Sequence, residues 1–256
     1  MEKSLKITPE WIRGAKNRGE KIAALTAYDN PTARLLDEAG VPLILVGDSL
    51  GMVVLGYPDT TLVTLAEMRH HVAAVARAKT VALVAADLPY HTYQTPDAVL
   101  ANARSLIEAG AEAVKLEGGI EVVAEIRELR NAGIAVMGHI GMLPQHVKEE
   151  GGYKIKGRTK AEKERLLADA LAVQEAGVFA LVMELVEPGA AREITAALDI
   201  PTIGIGSGTG CGGQILVTHD LIGAFPWFRP KFVTAKADVA SAIRSSAEAF
   251  IRDVGA

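Results

Sequence analysis

The sequence has little cysteine, few aromatic residues and no excess of basic side chains. Its one cysteine, Cys211, excludes an intramolecular disulfide and is typical of a reducing compartment. Lysine and arginine together number 27 against 31 aspartate and glutamate residues, which gives a net charge of -4. Nucleic-acid binding needs a basic footprint that this balance does not offer. We therefore expect a cytoplasmic protein with no nucleic-acid partner.

The sequence also lacks long apolar runs. None reaches the ~18 residues that a membrane-spanning helix needs, and the stretch from Met1 to Arg13 has no apolar signal-peptide core. We expect no membrane association. The length of 256 residues is close to that of one eight-fold βα barrel, roughly 250. No linker interrupts it, so we expect a single catalytic domain over residues 1–256.

What the sequence does contain is a repeated block, in which Glu-Ala-Gly precedes a short apolar run that ends in a polar residue. Each block predicts a helix that ends at a glycine, followed by a buried strand. The copies are Glu38-Ala39-Gly40 leading to Asp48, Glu108-Ala109-Gly110 leading to Glu117, Glu175-Ala176-Gly177 leading to Glu184, and a looser copy, Asn131-Ala132-Gly133, leading to His139. A further apolar run from Val81 ends at Asp87.

Strand and helix patterns alternate along the chain, which predicts one parallel α/β domain. We expect a (βα)8 TIM barrel with an extra N-terminal helix, and the polar strand ends would meet at its active-site end. An open doubly wound sheet is the alternative. The extra helix, with Thr8 as N-cap, is predicted to run to Arg18 and to plug the bottom of the barrel. The loop over residues 141–158 is long enough to act as a lid.

Asp48 and Asp87 are the candidate metal ligands, because each ends one of two adjacent strands. Magnesium prefers one or two carboxylates together with substrate and water oxygens. The alternative is that both carboxylates cap nearby turns or helices.

Lys115 and Glu117 are two positions apart on one strand, so their side chains point the same way. If Glu117 faces the barrel interior, Lys115 does too, and a buried lysine needs an anionic partner. In one interpretation Lys115 binds an anionic group of the substrate and Glu117 belongs to the metal shell. The other is an ion pair between the two residues with no further role.

Glu184 stands in an apolar strand, where desolvation would tune it toward general-base chemistry. The alternative is a strand-end carboxylate that binds a backbone donor. His139 is either a substrate hydrogen-bonding group or a satisfied interior histidine. The remaining candidates, expected at ordinary surface positions, are His70, His71 and His91.

The glycines of residues 208–213 match the spacing of a dinucleotide-binding loop. That loop must open a helix, and the strand-like run that follows here excludes nicotinamide binding. No histidine is tied by pattern to Cys211, which argues against a nucleophilic cysteine. We expect a close-approach loop at the mouth of the barrel.

Several blocks, in order along nearly the whole chain, resemble the ketopantoate hydroxymethyltransferase family. They are Thr26-Ala27-Tyr28-Asp29, Val46-Gly47-Asp48-Ser49-Leu50-Gly51-Met52, Ala86-Asp87-Leu88-Pro89, Val114-Lys115-Leu116-Glu117-Gly118-Gly119, Gly138-His139-Ile140-Gly141, and Gly204-Ile205-Gly206-Ser207-Gly208 through Gly213-Gln214-Ile215-Leu216-Val217. One departure is Gly212, where the family usually has aspartate.

The resemblance implies a magnesium-dependent transfer of a hydroxymethyl group from 5,10-methylenetetrahydrofolate to 3-methyl-2-oxobutanoate, giving 2-dehydropantoate on the route to pantothenate. It implies Asp48, Asp87 and Glu117 as the metal shell. It also implies Glu184 as the proton acceptor, and substrate contacts from the residues Asp48, Ser49, Asp87, Lys115 and His139. The family is typically decameric, and the exposed-looking Pro226-Trp227-Phe228 independently favours a homo-oligomer.

Two rival functions stay open. One is a metal-dependent lyase or mutase of the phosphoenolpyruvate mutase and isocitrate lyase type, which would be expected to carry a nucleophilic cysteine loop. The other is a non-catalytic barrel that senses a 2-oxo acid.

Overall fold

Eight parallel strands close into a barrel in the computed structural model, which describes residues 5–255. Within those residues the strands are β1 Ile22–Thr26, β2 Leu43–Val46, β3 Leu83–Asp87, β4 Ala113–Lys115, β5 Val136–Gly141, β6 Ala180–Glu184, β7 Thr202–Ile205 and β8 Gly213–Leu216. Each pairs with the next in sequence, and the Ile22 N–H donates to the Gly212 carbonyl at 3.1 Å to join β1 to the segment entering β8. The TIM-barrel prediction is confirmed, and the open-sheet alternative is wrong.

Helices separate most of the strands, whereas β7 and β8 are joined by a loop alone. Over residues 5–255 the helices are α1 Pro9–Arg13, α2 Asn30–Glu38, α3 Leu50–Val53, α4 Leu65–Ala76, α5 Pro96–Ala109, α6 Val123–Asn131, α7 Lys160–Ala176, α8 Pro188–Ala197, α9 Thr218–Leu221 and α10 Val239–Gly255. Single 3-10 turns cover Thr60–Leu62, Ile120–Val122 and Pro144–His146.

The glycines of the repeated block end their helices as predicted. Gly110 and Gly177 are left-handed caps of α5 and α7, with φ of 112° and 110°. Gly40 and Gly133 follow α2 and α6 with φ of 82° and 77°. Only glycine adopts this region freely, so the block sets the point at which each helix turns into the next strand.

Side chains alternate between two cores along each strand. On β2, Leu43 belongs to the inner cluster and Ile44 to the cluster between strands and helices. The fully buried Ile12 of α1 joins the inner cluster together with Leu43 and Leu83, which begin β2 and β3. The extra helix therefore covers the N-terminal end of the strands.

Element ends differ from the predictions in two ways. α1 ends at Arg13 instead of Arg18, because Gly14 caps it and turns follow; glycine is a poor helix former. Asp48 and Glu117 lie just beyond β2 and β4 instead of inside them. The short helices α3 and α9 have too few residues for a periodic signal.

The chain divides into two compact units, Met1–Ile215 and Leu216–Ala256. In the second unit, the Lys236 N–H donates to the Leu221 carbonyl at 2.7 Å, and none of the described side chains of α10 is buried. A single domain over residues 1–256 stays a prediction, and its first four residues and its last lie outside the described ones. Among residues 5–255, no helix combines the length and apolar character needed to cross a bilayer.

Candidate active site

The C-terminal ends of five consecutive strands, β2 to β6, bring the charged candidates together. All but one are at most 4% exposed, and the side chain of Glu184 is 13% exposed. The residues gathered here are Asp48, Asp87, Lys115, Glu117, His139 and Glu184. Charges buried this deeply must be paired or must meet a ligand.

Lys115 takes its nearest partner from the neighbouring strand. Its Nζ lies 3.0 Å from Asp87 Oδ1 and 3.8 Å from Glu117 Oε1. Asp87 and Lys115 are in register across β3 and β4, which explains the contact. Burial opposes the charged form, but the Asp87 and Glu117 carboxylates outweigh it and raise the pKa of Lys115. The lysine is therefore a fixed cation in the site, and Glu117 is not its main partner.

Asp48 meets the cluster through both its backbone and its side chain. Its N–H donates to Asp87 Oδ2 at 3.0 Å, and its own Oδ2 accepts from Gln145 Nε2 at 2.8 Å. Burial, followed by the charges of Asp87 and Glu117, raises the pKa of Asp48 well above its usual range. Three carboxylates thus share a water-poor space with one lysine.

This donor set fits a hard divalent cation. Two carboxylates at the ends of adjacent strands are enough for magnesium, which keeps substrate and water oxygens in its shell. Across residues 5–255, no three Asp, Glu, His or Cys side chains are grouped as a complete protein cage. Asp48 and Asp87, in contact through the Asp48 N–H, are the residues that could hold such an ion, and Glu117 is a third carboxylate beside them.

His139 lies between two carboxylates. Its Nδ1 is 3.4 Å from Glu117 Oε1, and its Nε2 is 3.4 Å from Glu184 Oε2. Burial and the Lys115 charge oppose protonation, but contacts with Glu117 and Glu184 prevail and raise the pKa of His139 to about 9. Nδ1 also lies 3.2 Å from Lys115 Nζ, so the ring connects the lysine and the candidate metal carboxylates to the candidate base.

Glu184 stands at a tightly constrained turn. The next residue, Leu185, has φ of 47°, a left-handed conformation that is uncommon outside glycine. The buried Ser207 hydroxyl donates to the Met183 carbonyl at 2.7 Å and accepts from the Val186 N–H at 2.9 Å. These bonds hold the backbone on both sides of Glu184, whose carboxylate contacts His139.

Ser49 and the histidines predicted at the surface are placed as follows. Ser49 Oγ lies 2.8 Å from the Tyr28 hydroxyl, next to Asp48 in sequence. His71 is half-buried and its Nδ1 lies 2.7 Å from the Tyr28 carbonyl oxygen, so the surface prediction is wrong for it. His70 and His91 are exposed, as predicted.

Two uncharged residues of the site escaped sequence reasoning. Gln145, 1% exposed, lies in the 3-10 turn after β5, and the Tyr93 hydroxyl donates to its Oε1. The Gln145 N–H also donates to Glu117 Oε2 at 3.1 Å. Neither residue ends a strand or titrates near neutral pH, so the sequence carries no signal that marks them.

The glycine-rich segment between β7 and β8 makes close approaches at both ends of the barrel. At the mouth, a Cβ on Gly208 would lie 2.9 Å from the Cβ of Pro188, the first residue of α8. A Cβ on Gly213 would lie 2.3 Å from the Ile22 carbonyl oxygen, and the Gly212 N–H donates to Thr202 Oγ1 at 3.2 Å. Ile22 and Thr202 begin β1 and β7. The segment therefore makes the close approach predicted at the mouth through Gly208, whereas Gly213 and the departure at Gly212 lie at the strand starts, away from the charged cluster.

Comparisons with known proteins agree on one family. The sequence model of ketopantoate hydroxymethyltransferase matches residues 6–256. A protein of Moorella thermoacetica named 3-methyl-2-oxobutanoate hydroxymethyltransferase is 53% identical over 99% of this chain and 95% of its own length. One of the same name from Caldivirga maquilingensis is 54% identical over 97% of this chain and 94% of its own length.

Solved structures with a similar fold belong to more distant proteins. A 2,3-dimethylmalate lyase of the PEP mutase/isocitrate lyase superfamily has a TM-score of 0.67 at 19% identity, covering 98% of this chain and 89% of that one. A phosphonopyruvate hydrolase solved with oxalate and Mg²⁺ has a TM-score of 0.66 at 15% identity, covering 95% and 86%. At such identities the likeness concerns the fold alone.

Proposed function

The chain belongs to the ketopantoate hydroxymethyltransferase family, and on that premise we propose that it transfers a hydroxymethyl group from 5,10-methylenetetrahydrofolate to 3-methyl-2-oxobutanoate. The product is 2-dehydropantoate. The observation that carries the proposal is the buried set of three carboxylates beside Lys115, with Glu184 reached across His139. That arrangement suits a reaction that removes a proton next to a ketone and stabilises the resulting negative charge.

Asp48 and Asp87 would hold Mg²⁺, with Glu117 completing the shell directly or through water. The ion supplies Lewis-acid stabilisation of negative charge on the keto oxygen of the substrate. The fit rests on the repulsion among the three buried carboxylates, which a divalent cation would offset.

Lys115 and Ser49 bind the carboxylate of the substrate in this proposal. Lys115 is a buried, permanently charged ammonium group, which suits a carboxylate better than a neutral donor does. Ser49 has its hydroxyl oriented by Tyr28 and adds a second polar contact beside Asp48. Asp48 and Asp87 border the same substrate group, and His139 supplies a further hydrogen bond.

Glu184 takes the proton from carbon three of 3-methyl-2-oxobutanoate. Its carboxylate becomes a carboxylic acid and the C–H electron pair moves into an enolate. The adjacent His139 ring, with Nε2 3.4 Å from Glu184 Oε2, orients the carboxylate for the transfer. The enolate carbon then forms a bond to the methylene carbon of the folate, and both C–N bonds of that carbon break. Water supplies the hydroxyl group, and its other hydrogen and the proton taken up by Glu184 go to the two nitrogens, which leaves tetrahydrofolate.

The decisive experiment is exchange of the carbon-three proton into deuterated water, followed by NMR with Mg²⁺ and without folate. Glu184→Gln keeps the shape of the side chain but cannot accept a proton. We expect the wild type to exchange and the variant to be slower by ~100-fold or more, the usual scale for losing a positioned base. The variant should still bind 3-methyl-2-oxobutanoate, because Asp48 and Asp87 are intact.

Glu193→Gln on α8 is a matched control, since Glu193 is an exposed carboxylate with only a 4.0 Å contact to Lys163. It should exchange at the wild-type rate. Exchange by Glu184→Gln at the wild-type rate without product would place Glu184 in the later carbon–carbon bond step. The base would then be sought at His139.

A product assay separates the rival functions. Incubation of 3-methyl-2-oxobutanoate with 5,10-methylenetetrahydrofolate should consume folate and give 2-dehydropantoate, and a chelator should abolish both. A lyase or mutase would turn over a substrate without folate, and a sensor would bind the 2-oxo acid without product. Cys211, the only cysteine, is buried, and burial raises the pKa of its thiol, so it is poorly suited to act as a nucleophile.

A further inference from the structure

Gln145 donates hydrogen bonds to two of the three clustered carboxylates, those of Asp48 and Glu117. Its side-chain Nε2 donates to Asp48 Oδ2 at 2.8 Å and to the Leu88 carbonyl at 3.0 Å. Its backbone N–H donates to Glu117 Oε2 at 3.1 Å. One uncharged residue, placed after β5, therefore contacts carboxylates that follow β2 and β4.

The orientation of this amide is set by its surroundings. Nε2 faces two acceptors, a carboxylate and a backbone carbonyl, so the nitrogen must point that way. Oε1 receives the Tyr93 hydroxyl on the other side. A phenol is protonated at neutral pH, so the Tyr93 hydroxyl is the donor of this bond. A flipped amide would turn its oxygen toward Asp48 and its nitrogen toward a donor.

We infer that Gln145 and Tyr93 are a positioning pair for the divalent cation: the amide holds Oδ2 of Asp48 and leaves Oδ1 for the metal, while Tyr93 prevents the amide from flipping. This inference rests on the proposed function, because it assumes that Asp48 is a metal ligand. Neither side chain touches the substrate in this role. Residues that orient metal ligands through hydrogen bonds are a general feature of metal sites, and their loss weakens metal binding.

The same contacts tie the predicted lid to the cluster. The segment that follows β5 begins with the Met142 N–H bonded to the Glu184 carbonyl at 2.8 Å. Three residues later, Gln145 binds Asp48 and Glu117. The base of the lid is thus fixed to the backbone of the candidate base and to both carboxylates at once.

The test measures Mn²⁺ binding to the purified full-length protein, without substrate, by the EPR signal of free Mn²⁺. Gln145→Met keeps the length of the side chain but has no donor, and it should weaken binding by ~10–100-fold. Tyr93→Phe keeps the ring and removes the anchor of the amide, and it should weaken binding by about 5-fold, as expected for one hydrogen bond. The matched controls are Gln94→Met and Tyr90→Phe, exposed or half-buried neighbours that should stay within ~2-fold of wild type.

A second readout separates positioning from a merely structural role. For both variants the Mg²⁺ concentration that gives half-maximal product formation should rise, while kcat at saturating Mg²⁺ recovers to within ~3-fold of wild type. Loss of packing alone would lower kcat at every Mg²⁺ concentration and lower the thermal unfolding midpoint. If Gln145→Met does not fold, Tyr93→Phe still tests the pair.

Two outcomes are decisive and distinguishable. Wild type that binds Mn²⁺, with both variants binding it equally well, would overturn the inference and leave the proposed function standing. Wild type that neither binds Mn²⁺ nor forms product would overturn the proposed function, and the inference with it.

Discussion

Asp48 and Asp87 have different nearest partners, so neutralising one or the other should have different effects on stability. The Asp48 side chain faces an amide donor, whereas Asp87 is the nearest partner of the buried Lys115 at 3.0 Å. We predict that Asp48→Asn and Asp87→Asn each abolish product formation at limiting Mg²⁺, because magnesium has few protein ligands to lose. Asp87→Asn should also destabilise the fold by about 3 kcal/mol or less, because the buried Lys115 loses its nearest carboxylate and keeps Glu117 Oε1 at 3.8 Å and His139 Nδ1 at 3.2 Å.

The two effects are separated by thermal unfolding in chelator and a product assay across Mg²⁺ concentrations. Asp48→Asn should unfold at a higher temperature than Asp87→Asn, because it removes a repelled charge and leaves the lysine paired. Near wild-type turnover of either variant at limiting Mg²⁺ would remove that residue from the metal shell.

At this scale the amino-acid sequence predicts charged site residues well and their neutral partners poorly. An ionised residue at the end of an apolar strand costs free energy unless a cation or hydrogen-bond donors contact it. Asp87, Glu117 and Glu184 are therefore conspicuous in the sequence alone. Gln145 and Tyr93 are not, because an amide in a loop and a tyrosine carry no such signal. The nearest partner of Lys115 also escapes prediction, since it depends on the register between β3 and β4.

At the scale of elements, the order of strands and helices could be predicted, and their exact ends could not. Apolar runs are longer than the strands they form, because the chain leaves the hydrogen-bonded ladder while its side chains are still buried. Asp48 shows this, being buried two residues beyond β2. The repeated glycines were the better markers, since a left-handed backbone fixes where a helix stops.

The helix-ending glycines differ in the space around them, and their substitutions should differ accordingly. A Cβ on Gly133 meets nothing within 4 Å, whereas one on Gly110 would lie 2.4 Å from the Ala76 Cβ. Gly133→Ala should lose about 1 kcal/mol of unfolding free energy from its left-handed φ alone. Gly110→Ala should lose at least ~2 kcal/mol, because a steric clash is added.

Urea unfolding at one protein concentration measures both values. Combining Gly110→Ala with Ala76→Gly should remove the clash between the two Cβ atoms. The double variant should therefore lose less unfolding free energy than the two single variants lose in sum. Equal losses for Gly110→Ala and Gly133→Ala would show that φ alone sets the cost.

At the scale of the molecule, the unit Leu216–Ala256 exposes apolar residues out of proportion to its size. Trp227 of the predicted patch is 82% exposed and Phe228 is also exposed. On α10, Phe250 is 69% exposed, with Ile251 beside it. Patches of this kind on a protein surface mark interaction sites.

We predict a homo-oligomer that uses α10, with a decamer the expectation from the family. Sedimentation at micromolar concentration should show a species larger than a monomer, and Phe250→Asp with Ile251→Asp should shift it to a smaller one. Leu35→Asp, at an exposed leucine of α2, is the control and should leave the assembly unchanged. A monomeric wild type would contradict the prediction. The cytoplasmic location stays a separate prediction.

The seam between β1 and β8 has a consequence for how the protein is made. Lys21, just before β1, donates to the carbonyl of Cys211, 190 positions further along the chain. A ribosome adding about 5–20 residues per second needs on the order of ten to forty seconds to cover that distance. Throughout that time β1 is an open edge that invites pairing with other chains. The barrel can therefore close only after its last strand has been made. A side chain at Gly213, whose Cβ would lie 2.3 Å from the Ile22 carbonyl oxygen, would obstruct that closure.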